Sequence, residues 1–139
     1  MVRHEELLPT AVLEGATLRG NEYAWPLEAI PKVILAAQQV GLINVGGQLQ
    51  FRLPAATCEC YWIEVDTLRV MPHRLTTREK IDWTAREALK QFEELPRQWD
   101  FLAEGKKFFS YALGDYVSGG GDPLRVMSFV WYLKKPIGT

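Results

Sequence analysis

The amino-acid sequence predicts an α+β fold, with a single antiparallel or mixed sheet built on a central hairpin and two or three helices on one face. Two runs on either side of Pro54 alternate apolar and polar residues, which is typical of half-buried strands. Segments before and after this pair carry apolar residues at helical spacing. With 139 residues, 47% hydrophobic and 24% charged, the chain has the length and composition of one globular domain. We therefore expect residues 1–139 to form a single α+β domain.

The first part of the chain predicts an arm followed by a helix. Residues 1–24 mix charges, proline and glycine with short apolar groups, so we expect an N-terminal arm that packs over the rest of the protein. From Trp25 onward, apolar residues recur at helical spacing up to Gly41, which is a good helix stop. Because a proline inside a helix removes a hydrogen bond, the regular helix is expected to begin near Pro31.

The stretch from Gly41 to Asp66 predicts the central antiparallel hairpin. A short β-prone piece leads into a glycine pair, which suits a bulge or turn, and then into the first alternating strand, Gln48–Leu53. Residues Pro54–Thr57 form the connection, and Cys58–Asp66 alternates in turn. The expected register places Phe51 opposite Cys60, and Arg52 opposite Glu59.

This register gives the hairpin two unlike faces. The apolar face, which we expect the helices to cover, holds Leu49, Phe51, Leu53, Cys58, Cys60 and Trp62. The polar face holds Gln48, Gln50, Arg52, Glu59, Tyr61 and Ile63, with Ser128 and Tyr132 as further candidates from a later strand.

The second half of the chain predicts two helices and a strand. Apolar residues at helical spacing mark Arg78–Leu95, which Thr76 or Thr77 can cap. Pro96 separates it from a second helical stretch over 97–113, which we expect to bend at Gly105 or to let another backbone approach there. A glycine-rich flexible connection, 114–123, then leads to an interior strand over 124–133 that is apolar on both faces.

No motif in the sequence predicts a catalytic, cofactor-binding or metal-binding residue. Cys58 and Cys60 stand one residue apart, a spacing that suits a disulfide badly, and a zinc site would need ligands beyond the distant His4 and His73. Both cysteines are therefore expected to be free thiols in the core. The glycine run before Asp122 lacks the Lys-Ser/Thr of a phosphate-binding loop.

Charge and hydropathy limit the partners and the compartment. Sixteen Lys and Arg against seventeen Asp and Glu give a net charge of -1, and no basic stripe suits a nucleic acid. The start, MVRHEELLPT, lacks the apolar region of a secretory signal, and no apolar run approaches the ~20 residues that span a bilayer. We expect a cytoplasmic protein that binds neither nucleic acid nor membrane.

Two surfaces are candidates for binding a protein partner. The polar hairpin face combines arginine and aromatic residues with adaptable polar groups, a composition enriched at interfaces; its candidate residues are Gln48, Gln50, Arg52, Tyr61 and Ile63. Trp83 is the other candidate, because it lies about opposite the apolar stripe of its predicted helix. The alternative for both is internal cover, by the N-terminal arm over the polar face and by the 97–113 helix over Trp83.

The stretch WPLEAIPKVILAAQQVGLINVGGQLQFRLP, continuing into CYWIEVD, resembles the first half of small uncharacterised bacterial proteins and is loosely similar to immunity proteins of bacterial toxin systems. The resemblance covers residues 25–66 and is one of texture, without a diagnostic motif. It implies stoichiometric binding to a toxin partner. Many such proteins are strongly acidic, whereas this chain is nearly neutral.

Together these observations predict a non-enzymatic, immunity-like protein-binding module that neutralises or regulates its partner. One alternative is a small-molecule-binding protein or enzyme with a pocket between hairpin and helices, using Tyr61, His73, Glu64 or Asp66. Another is a homodimer formed through the sheet face.

Overall fold

The computed structural model describes residues 3–137, so the first two residues of the predicted arm lie outside it. The described chain forms one antiparallel sheet of six strands together with five α-helices, which confirms the α+β prediction. The strands are β1 (Thr17–Arg19), β2 (Glu22–Pro26), β3 (Ile43–Arg52), β4 (Thr57–Asp66), β5 (Met127–Val130) and β6 (Tyr132–Lys134). The helices are α1 (Thr10–Leu13), α2 (Ile30–Gln39), α3 (Thr77–Gln98), α4 (Phe101–Phe108) and α5 (Ser110–Ser118), and 3-10 turns form at His4–Leu7, Leu27–Ala29 and Pro123–Val126.

The sheet has the strand order β1-β2-β5-β3-β4, and β6 also pairs with β3. The predicted last strand is therefore interior, since β5 lies between β2 and β3. It begins three residues later than expected, at Met127, because the preceding residues form a 3-10 turn that starts at Pro123. Trp131 interrupts it and donates its backbone N–H to Tyr23 O at 3.2 Å.

The central hairpin forms, but its predicted register is wrong by two residues. Phe51 lies opposite Cys58, and Arg52 lies opposite Thr57. The cause is a tighter turn than expected, since Leu53 donates its backbone N–H to Ala56 O at 2.9 Å. A shift of two residues preserves the side-chain alternation, so this end of the hairpin keeps its predicted faces.

A bulge in β4 changes the faces farther along the hairpin. Leu49 of β3 lies opposite Cys60, but the neighbouring Gln48 lies opposite Glu64. The three β4 residues between Cys60 and Glu64, 61–63, therefore have no partner on β3. The extra residues reverse the alternation, as a bulge does. Ile63 and the residues after it therefore change face, and Ile63 is 0% exposed.

The first two long helices agree with the prediction at their starts. Helix α2 carries Pro31 in its first turn, and the chain leaves it through Gly41, which has a φ of +79° that glycine adopts without strain. Thr76 and Glu79 cap α3 with a reciprocal capping box. The prediction that Pro96 ends this helix is wrong, because the helix continues to Gln98.

The helical stretch that follows divides at a different residue from the one expected. Helix α4 ends at Phe108 and α5 begins at Ser110, so the break lies at Phe109 and not at Gly105. Gly105 instead lets α4 sit on the core, because a Cβ there would lie 2.4 Å from Phe51 Cε1. The expected flexible connection also begins later, since α5 extends to Ser118.

The core lies between the sheet and the helices, with α3 packed across β3 and β4. Its largest fully buried side chains include Trp25, Phe51, Phe129 and Trp131. Both cysteines are free and buried, as expected. None of the helices within residues 3–137 is long and apolar enough to cross a membrane.

The N-terminal segment is packed against the sheet. Strand β2 pairs with β5 through Ala24, Trp25 and Pro26. Glu5, which is 8% exposed, accepts the backbone N–H of Leu133 at 2.8 Å. Residues 3–26 therefore contribute two strands and a buried carboxylate to the body of the protein.

Candidate functional site

The polar face of the hairpin is closed by the chain's own N-terminal strands. Arg52, which is 6% exposed, donates from Nη1 to Thr17 O at 2.7 Å and to Thr17 Oγ1 at 2.9 Å, and from Nη2 to Glu22 O at 2.9 Å. Its Nε donates to Gln50 Oε1 at 2.9 Å. Gln50 is itself 1% exposed. The prediction that Arg52 and Gln50 lie on an open surface is wrong, and the alternative of cover by the arm is the one that the structure shows.

The rest of this face forms a continuous polar network. Tyr132 donates its hydroxyl to Glu22 Oε2 and accepts from Gln48 Nε2 at 2.9 Å. Gln48 also donates to Glu59 Oε1 at 2.7 Å. Burial, followed by the hydrogen bond to Glu22, raises the pKa of Tyr132 to about 12, and burial lowers the pKa of Arg52. The side chains of Gln50, Arg52, Gln48 and Tyr132 are bonded to partners within the chain, so this part of the face has an internal structural role.

The other predicted partner-binding residues fall in three different environments. Ile63 lies in the core because of the β4 bulge, so its expected place on an open face is wrong. Trp83 is half-buried on α3. Tyr61 is 69% exposed. Tyr61 is therefore the predicted residue that the fold leaves most available to a partner.

Tyr61 opens onto a cleft that we call the aromatic cleft, with a volume of about 650 Å³. It lies where the bulged part of β4 meets α4 and the residues flanking that helix. Its lining residues are Glu59, Tyr61, Trp62, Trp99, Glu104, Lys107, Phe108 and Phe109.

Trp62 holds the centre of the aromatic cleft. Its ring centroid lies 5.1 Å from that of Tyr61 with an interplanar angle of 89°, and 4.8 Å from that of Phe108 with an angle of 65°. Such edge-to-face pairs are favourable beyond the area they bury. The indole Nε1 donates to Glu104 Oε1 at 3.0 Å. The flanking rings therefore rest on an anchored tryptophan, while Tyr61 and Phe108 stay 69% and 54% exposed.

Helix α4 places its side chains against Trp62 for local reasons. Asp100 caps the helix by accepting the backbone N–H of Ala103 at 3.1 Å. The missing side chain at Gly105 brings the helix down onto Phe51. Glu104 and Phe108 are four residues apart and so share one helix face.

The charges in the cleft are two carboxylates and one ammonium group. Lys107 Nζ lies 5.1 Å from the ring centroid of Phe108, within the range of a cation–π contact. Glu59 and Glu104 both add to the rise in the pKa of the Cys60 thiol, which reaches about 12 chiefly because the thiol is buried and secondly because of Cys58. The cleft is therefore rich in aromatic surface and net negative.

The residues of the small-molecule alternative do not meet in one pocket. Glu64 and Asp66 line a separate cleft of about 230 Å³, where Arg69 pairs with them at 2.6 Å and 3.2 Å. His73 lies exposed in the loop before α3 and lines neither cleft. Among residues 3–137, no group of three or more His, Cys, Asp or Glu side chains could hold a metal ion.

Most of the residues that line the cleft fall in the helix predicted over 97–113. In the helix predicted over 97–113, helical spacing puts Trp99 and Phe109 on one side, with Phe108 beside them. The available signal was the aromatic density of residues 99–109, which contain four aromatic residues. Their meeting with Tyr61 and Trp62 depends on long-range packing.

Comparisons with protein-family models, curated proteins and solved structures find no match for this chain. The functional interpretation therefore depends on the site itself.

Proposed function

We propose that this protein is a non-enzymatic protein-binding module that takes its partner at the aromatic cleft. The observation that carries the proposal is the exposure of Tyr61 and Phe108, 69% and 54%, on either side of an anchored tryptophan. Exposed aromatic side chains that are held rigid contribute large contact area at a small cost in conformational entropy. Clusters of this kind are where binding energy concentrates in protein interfaces.

The proposed mode of action is stoichiometric binding, as the resemblance to immunity proteins implies. The partner would then be a toxin that the protein neutralises or regulates. Arg52 and Gln50 of the polar hairpin face have no part in this proposal, because their side chains are buried and bonded within the chain. Binding depends instead on residues from β4, α4 and their flanks.

A pull-down from an extract of the native host tests the proposal. Immobilised wild type is compared with Tyr61→Ala and Phe108→Ala, and with Tyr111→Ala as the matched control, since Tyr111 is 90% exposed and lies outside the cleft lining. Loss of a hot-spot aromatic weakens binding by about 30-fold or more. We expect both cleft variants, but not the control, to lose the partner.

Two further measurements make the pull-down decisive. Thermal unfolding of each variant tests whether it is still folded. A variant that loses the partner but unfolds at the wild-type temperature has lost a surface contact and not its fold. Native mass spectrometry of the recovered complex should give one partner per chain. Capture of the same partners by all four proteins, or of none by wild type, would contradict the proposal.

A further inference from the structure

The aromatic cleft carries features that specify the chemistry of what binds there, and this inference rests on the function proposed above. We infer that the cleft receives an arginine side chain of the protein partner, its guanidinium group stacked on the exposed rings and paired with Glu59 and Glu104. The rings, the two carboxylates and an internal cation already lying on one ring each support this assignment.

The ring surfaces supply the first part of the site. Tyr61 and Phe108 pack edge-on or obliquely against Trp62, an arrangement that leaves their own surfaces exposed to solvent. Aromatic faces attract cations through the ring quadrupole, and the planar guanidinium group stacks on them as well. Lys107 shows that the site accepts a cation, because its Nζ lies 5.1 Å from the ring centroid of Phe108.

The carboxylates supply the second part. Glu104 Oε1 accepts from Trp62 Nε1 at 3.0 Å, and Glu59 Oε1 accepts from Gln48 Nε2 at 2.7 Å. Each carboxylate is therefore held through one of its two oxygens. Within residues 3–137, the second oxygen of each carboxylate accepts no hydrogen bond, and neither residue forms an ion pair. Two positioned carboxylates with free oxygens favour a guanidinium group, whose N–H groups match carboxylate geometry.

The charge balance agrees with a cationic ligand. Glu59 and Glu104 bring two negative charges to the lining and Lys107 brings one positive charge, so the cleft is left with a net charge of -1. An arginine neutralises this charge, whereas an acidic side chain would add to it. The ammonium group of Lys107 competes with the incoming cation for the ring of Phe108. Removing this positive charge should therefore strengthen the binding of arginine.

The test uses two defined peptides in nuclear magnetic resonance titrations. Each is an acetylated, amidated pentapeptide with four glycines around a central arginine or around the neutral isostere citrulline. The indole N–H of Trp62 reports directly on the cleft because it is bonded to Glu104. The indole groups of Trp25 and Trp131, bonded to Val12 O and Asn44 Oδ1 in the core, serve as internal controls.

We expect the arginine peptide to give a saturable shift of the Trp62 indole signal without moving those of Trp25 and Trp131. The citrulline peptide should bind about tenfold more weakly, since it lacks the cation–π contact and the ion pairs. Glu59→Gln together with Glu104→Gln should reduce the preference for arginine to the part that the cation–π contact supplies. Lys107→Gln should raise the affinity for the arginine peptide, an effect that a merely structural lysine would not produce.

The outcomes separate this inference from the proposed function. Equal binding of the two peptides, or no saturable shift of Trp62 at millimolar arginine peptide, would overturn the assignment of arginine. If Tyr61→Ala still abolished the pull-down in that case, the protein-binding function would stand. An arginine-selective shift with a pull-down that Tyr61→Ala and Phe108→Ala both leave intact would instead overturn the placement of the partner at the aromatic cleft.

Discussion

Replacement of Arg52 by alanine should strongly destabilise the protein without acting through its binding site. The guanidinium group donates four hydrogen bonds, of 2.7–2.9 Å, to Gln50, Thr17 and Glu22, and the residue is 6% exposed. Leaving a buried acceptor without its donor costs ~1–3 kcal/mol per group, and the Gln50 amide oxygen and the Glu22 carbonyl oxygen each lose one donor. Thr17 is exposed and can be rehydrated, so we expect a loss of about 3 kcal/mol from the other two acceptors together.

Urea unfolding followed by tryptophan fluorescence measures this loss. With a slope of ~1–3 kcal/mol per molar urea, a loss of about 3 kcal/mol lowers the midpoint by roughly 1–3 M. Arg52→Lys should fall between wild type and Arg52→Ala, because lysine keeps the charge but lacks the planar fork of donors. Arg69→Ala is the matched control, since its side chain is 65% exposed and solvent screens its ion pairs, so that its loss should change stability little.

Limited proteolysis shows where the loss acts. Because Arg52 bonds to Thr17 and Glu22, its removal should release the β1–β2 strands first, and cleavage should begin within residues 17–26. A destabilisation no larger than that of Arg69→Ala, with no new cleavage in this range, would refute the conclusion that Arg52 holds the N-terminal strands on the sheet.

Three further predictions follow from the packing and the buried ionisable groups. Gly105→Ala should lower the free energy of unfolding by about 1–3 kcal/mol, because the added Cβ would lie 2.4 Å from Phe51. Gly114→Ala should raise it by about 0.5–1 kcal/mol, because a Cβ at this position of α5 would meet nothing within 4 Å and alanine favours the helix. Equal urea midpoints for the two variants would contradict this. The pKa of the Tyr132 hydroxyl is raised from 10.0 to about 12 in the folded protein, so the protonated hydroxyl stabilises the fold fully below pH 10, and this stabilisation is lost as the pH rises through 12. The free energy of unfolding should therefore fall more steeply between pH 10 and 12 in wild type than in Tyr132→Phe. Cys60, buried and with its pKa raised to about 12, should react with a thiol reagent at pH 8 only after unfolding, and rapid labelling of the native protein would disprove its burial.

The helix ends at Thr76 and Gly41 could be predicted from the sequence, because each depends on residues that are close together in the chain. The capping box at Thr76 and the stop at Gly41 depend on neighbouring residues alone. Helix α3 therefore begins where its pattern predicts. The break at Phe109 was missed because the glycine that weakens the helix, Gly105, is held in place by contact with Phe51.

The candidate site was harder to predict because its residues come from separate parts of the chain. The β4 bulge moves Ile63 into the core, and nothing in the alternating pattern marks where an extra residue leaves the ladder. Trp62 reaches Glu104 across 42 residues of sequence. Tyr61 is the one cleft residue that the sequence assigned to partner binding and that the fold leaves widely exposed.

The sequence by itself determined the α+β class, the central hairpin and the burial of both cysteines, because side-chain periodicity and helix caps are local properties. It also placed two unlike faces on that hairpin. Only the tertiary structure decided which surface stays open, since burial depends on segments far apart in the chain. The N-terminal strands close the Arg52 face, and the packing of α4 beside the β4 bulge exposes the aromatic cleft around Trp62.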